Sequence, residues 1–162
     1  MHRHLSVETA AKHLFATNLI DDIIIGNAYA SEKELKSLGH LDRYQTVFRI
    51  EFVANVNEVE RQIVLEEQHV RRGDITDQVI RSTEVRKKYQ KDENKVHDTE
   101  FEFVVGDVVV GNDRFGKYKN ELQIVLEPHS DPRKNKVGHI TPEELILLPF
   151  IHPWSKFKFI EK

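Results

Sequence analysis

The stretch RYQTVFRIEFV, residues 43–53, alternates with a period of two: Tyr44, Thr46, Phe48, Ile50 and Phe52 on one face, Gln45, Val47, Arg49, Glu51 and Val53 on the other. Successive side chains of a strand point to opposite sides of the sheet, so this pattern predicts a strand with one face on a core. Downstream, short apolar segments at about 61–72, 77–82, 101–111, 120–127 and 136–140 alternate with turn-rich stretches such as Gly111-Asn112-Asp113 and His129-Ser130-Asp131-Pro132. Short strands at such spacing predict a closed or sandwiched antiparallel sheet. One late helix is expected to interrupt it. Thr141-Pro142-Glu143-Glu144 supplies a cap, a first-turn proline and two acids ahead of Leu145–Leu148. After it, Phe150, Trp154, Phe157 and Phe159 read as aromatic-rich edge or closing strands.

Upstream of residue 42 the pattern is different. Ser6 is placed to cap a helix whose Val7, Ala10, Ala11, Leu14 and Phe15 recur at the three-four spacing of one buried face. Ile23-Ile24-Ile25 then predicts a strand covered on both faces, as in parallel α/β sheets. Ser31-Glu32-Lys33-Glu34 fits a capping box that opens a short helix ending at Gly39. A helix, a doubly buried strand and a helix make a single βα step, which cannot cover its own strand. The strand therefore either docks on the β region or belongs to something larger.

The 162 residues suffice for one domain with a real core plus a small appendage. Mixed charge, a net −3 and a pI near 6.3 describe a globular chain and give no support for nucleic-acid binding. With no cysteine, neither disulfides nor thiolate metal sites are available, which points to a reducing compartment. No apolar run approaches a signal core or a membrane span, so a cytoplasmic location and no membrane partner are expected. Against the negative total, His69–Lys91 holds seven basic residues and three acidic ones. A local cluster of this kind favours a discrete anionic partner or a salt-bridged surface.

Within that cluster, Arg71, Arg72 and Arg81 lie in or beside strands, where guanidinium groups offer a fixed fork to phosphate or carboxylate. Ordinary ion pairs with Asp74, Asp77 or Glu84 account for them equally well. Arg86, Lys87, Lys88 and Lys91 read as a solvated run, and the Arg72-Gly73-Asp74 tripeptide carries no weight in such a chain. Gly111-Asn112-Asp113-Arg114-Phe115-Gly116-Lys117 matches part of a phosphate-binding loop, but Tyr118 stands where a hydroxyl is needed and a strand, not a helix, is expected next. It reads as a β-turn. His2 and His4 lack a third ligand, so no metal and no cofactor are expected. Asn27, just past the isoleucine strand, lies where α/β sheets bind ligands, a turn in which Gly26 and Asn27 serve the backbone accounts for it equally well, and Tyr29 beside it reads as packing.

The segments AAKHLFATNLIDDIIIGNAYASEKELKSLG (10–39), HVRRGDIT (69–76), IRSTEVRKKY (80–89) and GKYKNELQIVL (116–126) together resemble the carboxyl-terminal portion of the bacterial outer surface protein family associated with 6-phospho-N-acetylmuramidases. The resemblance runs from about Ala10 to the end. It implies a mainly β fold: a cyclophilin-like closed β-barrel with one or two short helices (42–162), preceded by a helix-strand-helix remnant of a TIM barrel (1–41). It also implies a cytoplasmic glycosidase of cell-wall recycling that cleaves phosphorylated amino-sugar disaccharides. Such hydrolysis needs two placed carboxylates, which the family carries on barrel segments upstream of Met1. Asp21 and Asp22 precede their strand, at the wrong end of a barrel, so no catalytic residue is assigned and the chain alone is expected to be inactive. What remains is help in closing the phosphosugar site, with Asn27, Arg71, Arg72 and Arg81 touching substrate, phosphate or the missing TIM-barrel domain. A stand-alone phosphosugar or anion-binding module and an interdomain or homo-oligomer scaffold are the alternatives.

Overall fold

The computed structural model describes residues 2–26, 29–99 and 102–162. Its centre is a sheet of seven strands: β1 (Thr46–Phe52), β2 (His69–Val70), β3 (Val79–Ser82), β4 (Asp107–Gly111), β5 (Leu122–Val125), β6 (Lys134–Ile140) and β7 (Lys156–Glu161). They run in the order β2-β7-β1-β6-β4-β5-β3, with all pairings antiparallel except β1 with β7. The two outer strands meet: the Arg72 amide donates to the Arg81 carbonyl at 2.9 Å, and His69 Nδ1 lies 3.0 Å from Ser82 Oγ. This contact rounds the sheet into a nearly closed barrel, and mainly β architecture is thus what the period-two pattern leads to.

Phe48 and Ile50 of β1 point inward and are fully buried, as the alternation requires. In β4, Val108 and Val110 enter the same core, while Val109 packs with Phe103 and Val125 in a second cluster. Cover on both faces explains an uninterrupted valine run. Gly138, opposite Phe52, lets β1 and β6 approach: a Cβ there would stand 2.7 Å from the Glu51 carbonyl oxygen. The late helix forms as a 3₁₀ segment, Pro142–Phe150, that plugs one end with Leu147 and Leu148.

Four helices lie outside the sheet: α1 (Val7–Ala16), α2 (Glu32–Gly39), α3 (Glu58–Leu65) and α4 (Val85–Lys88). α3 replaces the strand expected at 61–72, of which only β2 is extended. The cause is local. Asn57 and Glu60 close a capping box, with Asn57 Oδ1 accepting from the Glu60 amide at 2.9 Å, and Ile63 and Val64 bury one helical face. The strand expected at 101–111 begins only at Asp107, with Phe103 bridged singly to His129.

The region before the barrel departs furthest from expectation. Ser6 caps α1 and Ser31 caps α2 as anticipated, but Ile23–Ile25 pairs with no strand among the described residues, and Ile24 is 89% exposed. Among the described residues its backbone finds no hydrogen-bond partner. α1 also turns the opposite way from its apolar stripe: Thr9, Lys12 and His13 are buried with Ala11, whereas Val7, Ala10, Leu14 and Phe15 are only half-buried. Electrostatics decide this. Lys12 Nζ lies 2.7 Å from Glu144 and 2.9 Å from Glu8, and Arg49 pairs with both acids, Glu144 at 2.9 Å. Burial alone would raise the Glu8 carboxyl, but Lys12 and Arg49 hold it below its ordinary value.

Candidate functional site

At the barrel seam, the chain leaves β2, runs through Arg71 and Arg72, turns at Gly73-Asp74 and returns as β3. Two backbone bonds, Arg71 N–H to the Ser155 carbonyl (3.0 Å) and Trp154 N–H to the Arg71 carbonyl (2.9 Å), tie this strand end to the segment entering β7. Neighbouring residues of an extended chain face opposite ways, so the three arginines meet different fates.

Arg81 is committed to the fold. Its Nε and Nη2 reach Glu121 at 2.8 and 3.1 Å, and Nη1 reaches Asp74 at 3.3 Å. Glu121 is fully buried, and its hydrogen bonds raise the Arg81 pKa further against the opposing pull of burial. Arg72 pairs with Asp74 at 2.7 Å. Asp74 is thus the partner for two of the three, and Glu121, 40 positions along the chain from Arg81, is the one the sequence did not suggest. Arg71 differs from both. Its guanidinium donates to the Ile151 carbonyl, burial lowers its pKa, and no carboxylate among the described residues lies within ion-pair distance. A half-buried cation lacking a counter-ion is able to pair with an anion.

Arg71 opens into a cleft of about 300 Å³ lined by Arg71, Arg72, Thr83, Arg86, Lys87 and Trp154, with Glu84 as its acid. Glu84 is answered by Lys87 at 2.7 Å. Positive charge therefore dominates. The Thr83 hydroxyl is buried and has no hydrogen-bond partner among the described residues, which is uncommon for a buried polar atom. Trp154 contradicts the closing-strand expectation. It lies before β7, is 71% exposed, and holds a φ of 67°, a left-handed conformation that costs a side-chain-bearing residue about 1–2 kcal/mol. Its indole lies against Gly73, where a Cβ would come within 2.5 Å of Cζ2, so any side chain at this turn would push the indole from its place.

The basic run beyond Thr83 is partly structural. Arg86 donates to the Lys117 carbonyl and stacks on Tyr118 at 5.0 Å, with Arg81 on the same ring at 5.1 Å. Lys88 and Tyr89 both bind Glu67. The 111–117 loop winds as a 3₁₀ turn around Gly116, at φ 57°, and leads into β5, so it has the β-turn character read from its sequence and not the helix of a phosphate-binding loop.

Asn27 lies outside the described residues. Tyr29, expected to pack, is 93% exposed. The buried acids Glu60, Asp107, Glu121 and Glu144 are held by His97 (2.6 Å), by His139 and Lys136 (2.7 and 2.8 Å), by Arg81 (2.8 Å) and by Lys12 (2.7 Å) respectively. None of them faces the cleft. Thr83 and Trp154 are the two cleft residues that sequence reasoning missed. The signal for Trp154 was available in Pro153, which interrupts the aromatic alternation just before it. Thr83 carried none.

A family model described as 6-phospho-N-acetylmuramidase, C-terminal, matches residues 46–160, and one described as 6-phospho-N-acetylmuramidase, N-terminal, matches residues 1–40. No curated protein matches the chain. A crystal structure of an uncharacterized B. cereus protein is 53% identical with a TM-score of 0.95, covering 99% of this chain and 46% of that one. A conserved protein of unknown function from a locus in Enterococcus faecalis shares the fold, with a TM-score of 0.69 at 23% identity over 96% of this chain and 41% of its own. The chain thus spans less than half the length of either solved relative.

Proposed function

The chain belongs to the 6-phospho-N-acetylmuramidase family, and from that premise we propose that its barrel forms one wall of a phosphosugar site, with Arg71 receiving an anionic group of the ligand. The observation that carries the reading is the half-buried Arg71 guanidinium, free of any described carboxylate, at the mouth of a positively charged cleft. Arg72 is held at the cleft edge and neutralised by its Asp74 pair, and Arg81 positions the Gly73-Asp74 turn through Glu121 and Asp74.

Residues 1–41 are, in this reading, the closing unit of a TIM barrel, and residues 42–162 a cyclophilin-like domain laid over its mouth. The exposed Ile24 and the half-buried apolar stripe of α1 are the surfaces such a barrel would cover. Both hydrolytic carboxylates would come from that barrel, and the whole protein would cleave phosphorylated amino-sugar disaccharides in the cytoplasm during cell-wall recycling.

Titration calorimetry with muramic acid 6-phosphate tests the assignment. The parent chain should give a saturable heat that Arg71→Ala abolishes or weakens at least tenfold, since a charge-assisted bond in a partly desolvated cleft is worth roughly 1.5–3 kcal/mol. Equal heats from parent and variant would remove Arg71 from the site.

A further inference from the structure

Arg71 accounts for an anion but leaves two features of the cleft unused. One is the open indole of Trp154, 71% exposed while its neighbours Phe157 and Phe159 are buried. The other is the buried, unpartnered hydroxyl of Thr83. Both line the same cleft as Arg71, and backbone bonds to Arg71 and Gly73's missing side chain fix where the indole sits. An inorganic anion needs neither of them.

A phosphorylated pyranose needs all three. Its axial C–H groups form an apolar, weakly positive face that packs on the electron-rich face of an indole. Its hydroxyls or acyl amide require hydrogen-bond partners once out of water, and its phosphate or carboxylate requires a cation. At about 300 Å³ the cleft lies at the lower bound for ligand pockets, which suits one sugar ring and not two. We infer that the cleft is a monosaccharide subsite in which Trp154 stacks on the sugar ring and Thr83 hydrogen-bonds its periphery, so that the ring and not only its charge is recognised. The inference rests on Arg71 as the anion contact and extends it to the neutral part of the ligand.

Trp154 is the single tryptophan of the chain, so its emission reports on the cleft directly. Muramic acid 6-phosphate should quench or shift that emission in the 162-residue protein. Calorimetry then separates ring from charge. Trp154→Gly, which suits the left-handed backbone and avoids a folding defect, should weaken the phosphosugar about tenfold and leave inorganic phosphate unchanged. Thr83→Val should weaken the phosphosugar several-fold, again without effect on phosphate, and Thr83→Ser should retain parent affinity. Equal losses for phosphosugar and phosphate, or no loss in Trp154→Gly and Thr83→Val, would overturn the inference while Arg71→Ala still judges the anion contact. Absence of binding by either ligand would overturn both.

Discussion

Two pentapeptides in this chain are almost the same: Asp22-Ile23-Ile24-Ile25-Gly26 before the barrel and Asp107-Val108-Val109-Val110-Gly111 within it. The second is β4, paired on both sides, with all three valines fully buried and Asp107 locked to His139 at 2.7 Å and Lys136 at 2.8 Å. The first is an unpaired stretch with Ile24 at 89% exposure and Asp22 in solvent. A run of β-branched residues states that a strand would be stable if flanked; the flanking strands decide whether it forms. β5 and β6 supply them for one pentapeptide, and nothing in the described residues does for the other.

The largest effect that should separate the two is a buried charge. Val108→Asp places a carboxylate in the core with no partner and should cost about 3–5 kcal/mol, enough to unfold most of the population. Ile24→Asp should change the unfolding free energy by less than about 0.5 kcal/mol and should reduce any self-association of the chain seen in sedimentation. Similar losses at the two sites would end the comparison. Fusion to an upstream half from a longer relative should sharpen it, because Ile24→Asp would then become as damaging as Val108→Asp.

The same contrast explains what could be read from the sequence. The barrel was legible wherever a signal is local: the alternation of residues 46–52, the caps at Ser6 and Ser31, the proline opening the 142–150 segment. α3 was missed because Val59, Ile63 and Val64 also suit a strand, and only the Asn57–Glu60 capping box settles the choice. The pairing of Ile23–Ile25 was not legible at all, since strand formation depends on residues elsewhere. At the site, clustering singled out Arg71, Arg72 and Arg81 but could not rank them. Their ranking depends on Glu121 and Asp74, and the former lies 40 positions from Arg81. Thr83 and Trp154 join the cleft only through the barrel seam, so no stretch of sequence holds them together.

Histidines in the two regions offer a second, smaller test. His69 is buried in the barrel against Phe157, and burial pushes its pKa from 6.5 down to about 4. The unfolded chain therefore takes up a proton first as pH falls. Stability from this group is complete above about 6.5 and is lost between 6.5 and 4, amounting to about 3 kcal/mol. His97 acts in the other direction. Burial lowers its pKa, but Glu60 and Asp98 more than reverse this, so its contribution is intact below 6.5 and declines above it, leaving the acid window to His69. Denaturation between pH 6.5 and 4.5 should show a steep loss in the parent that His69→Leu largely removes. His13 on α1, lowered by burial and by His2, should matter much less to global unfolding, and a His13→Leu variant that flattened the slope equally would show the arm and barrel unfolding together.

The smallest contrast lies between two capping boxes of the same design. Ser31 and Glu34 close one on α2, which buries no residue; Asn57 and Glu60 close the other on α3, whose Ile63 and Val64 are core. Asn57 also donates to Asn94 at 3.0 Å, and Glu60 accepts from Asn135 at 2.9 Å, so this cap is continuous with the buried amides under the barrel. Asn57→Ala should lower global stability by about 1–2 kcal/mol. Ser31→Ala removes an equivalent local bond, yet α2 can fray without exposing any core, so global stability should fall by less than about 0.3 kcal/mol while far-ultraviolet helicity falls slightly. Equal global costs would mean that α2 and the barrel share one cooperative unit, and the exposed isoleucine run between α1 and α2 would then have to be held by contacts strong enough to transmit a cap's loss across it.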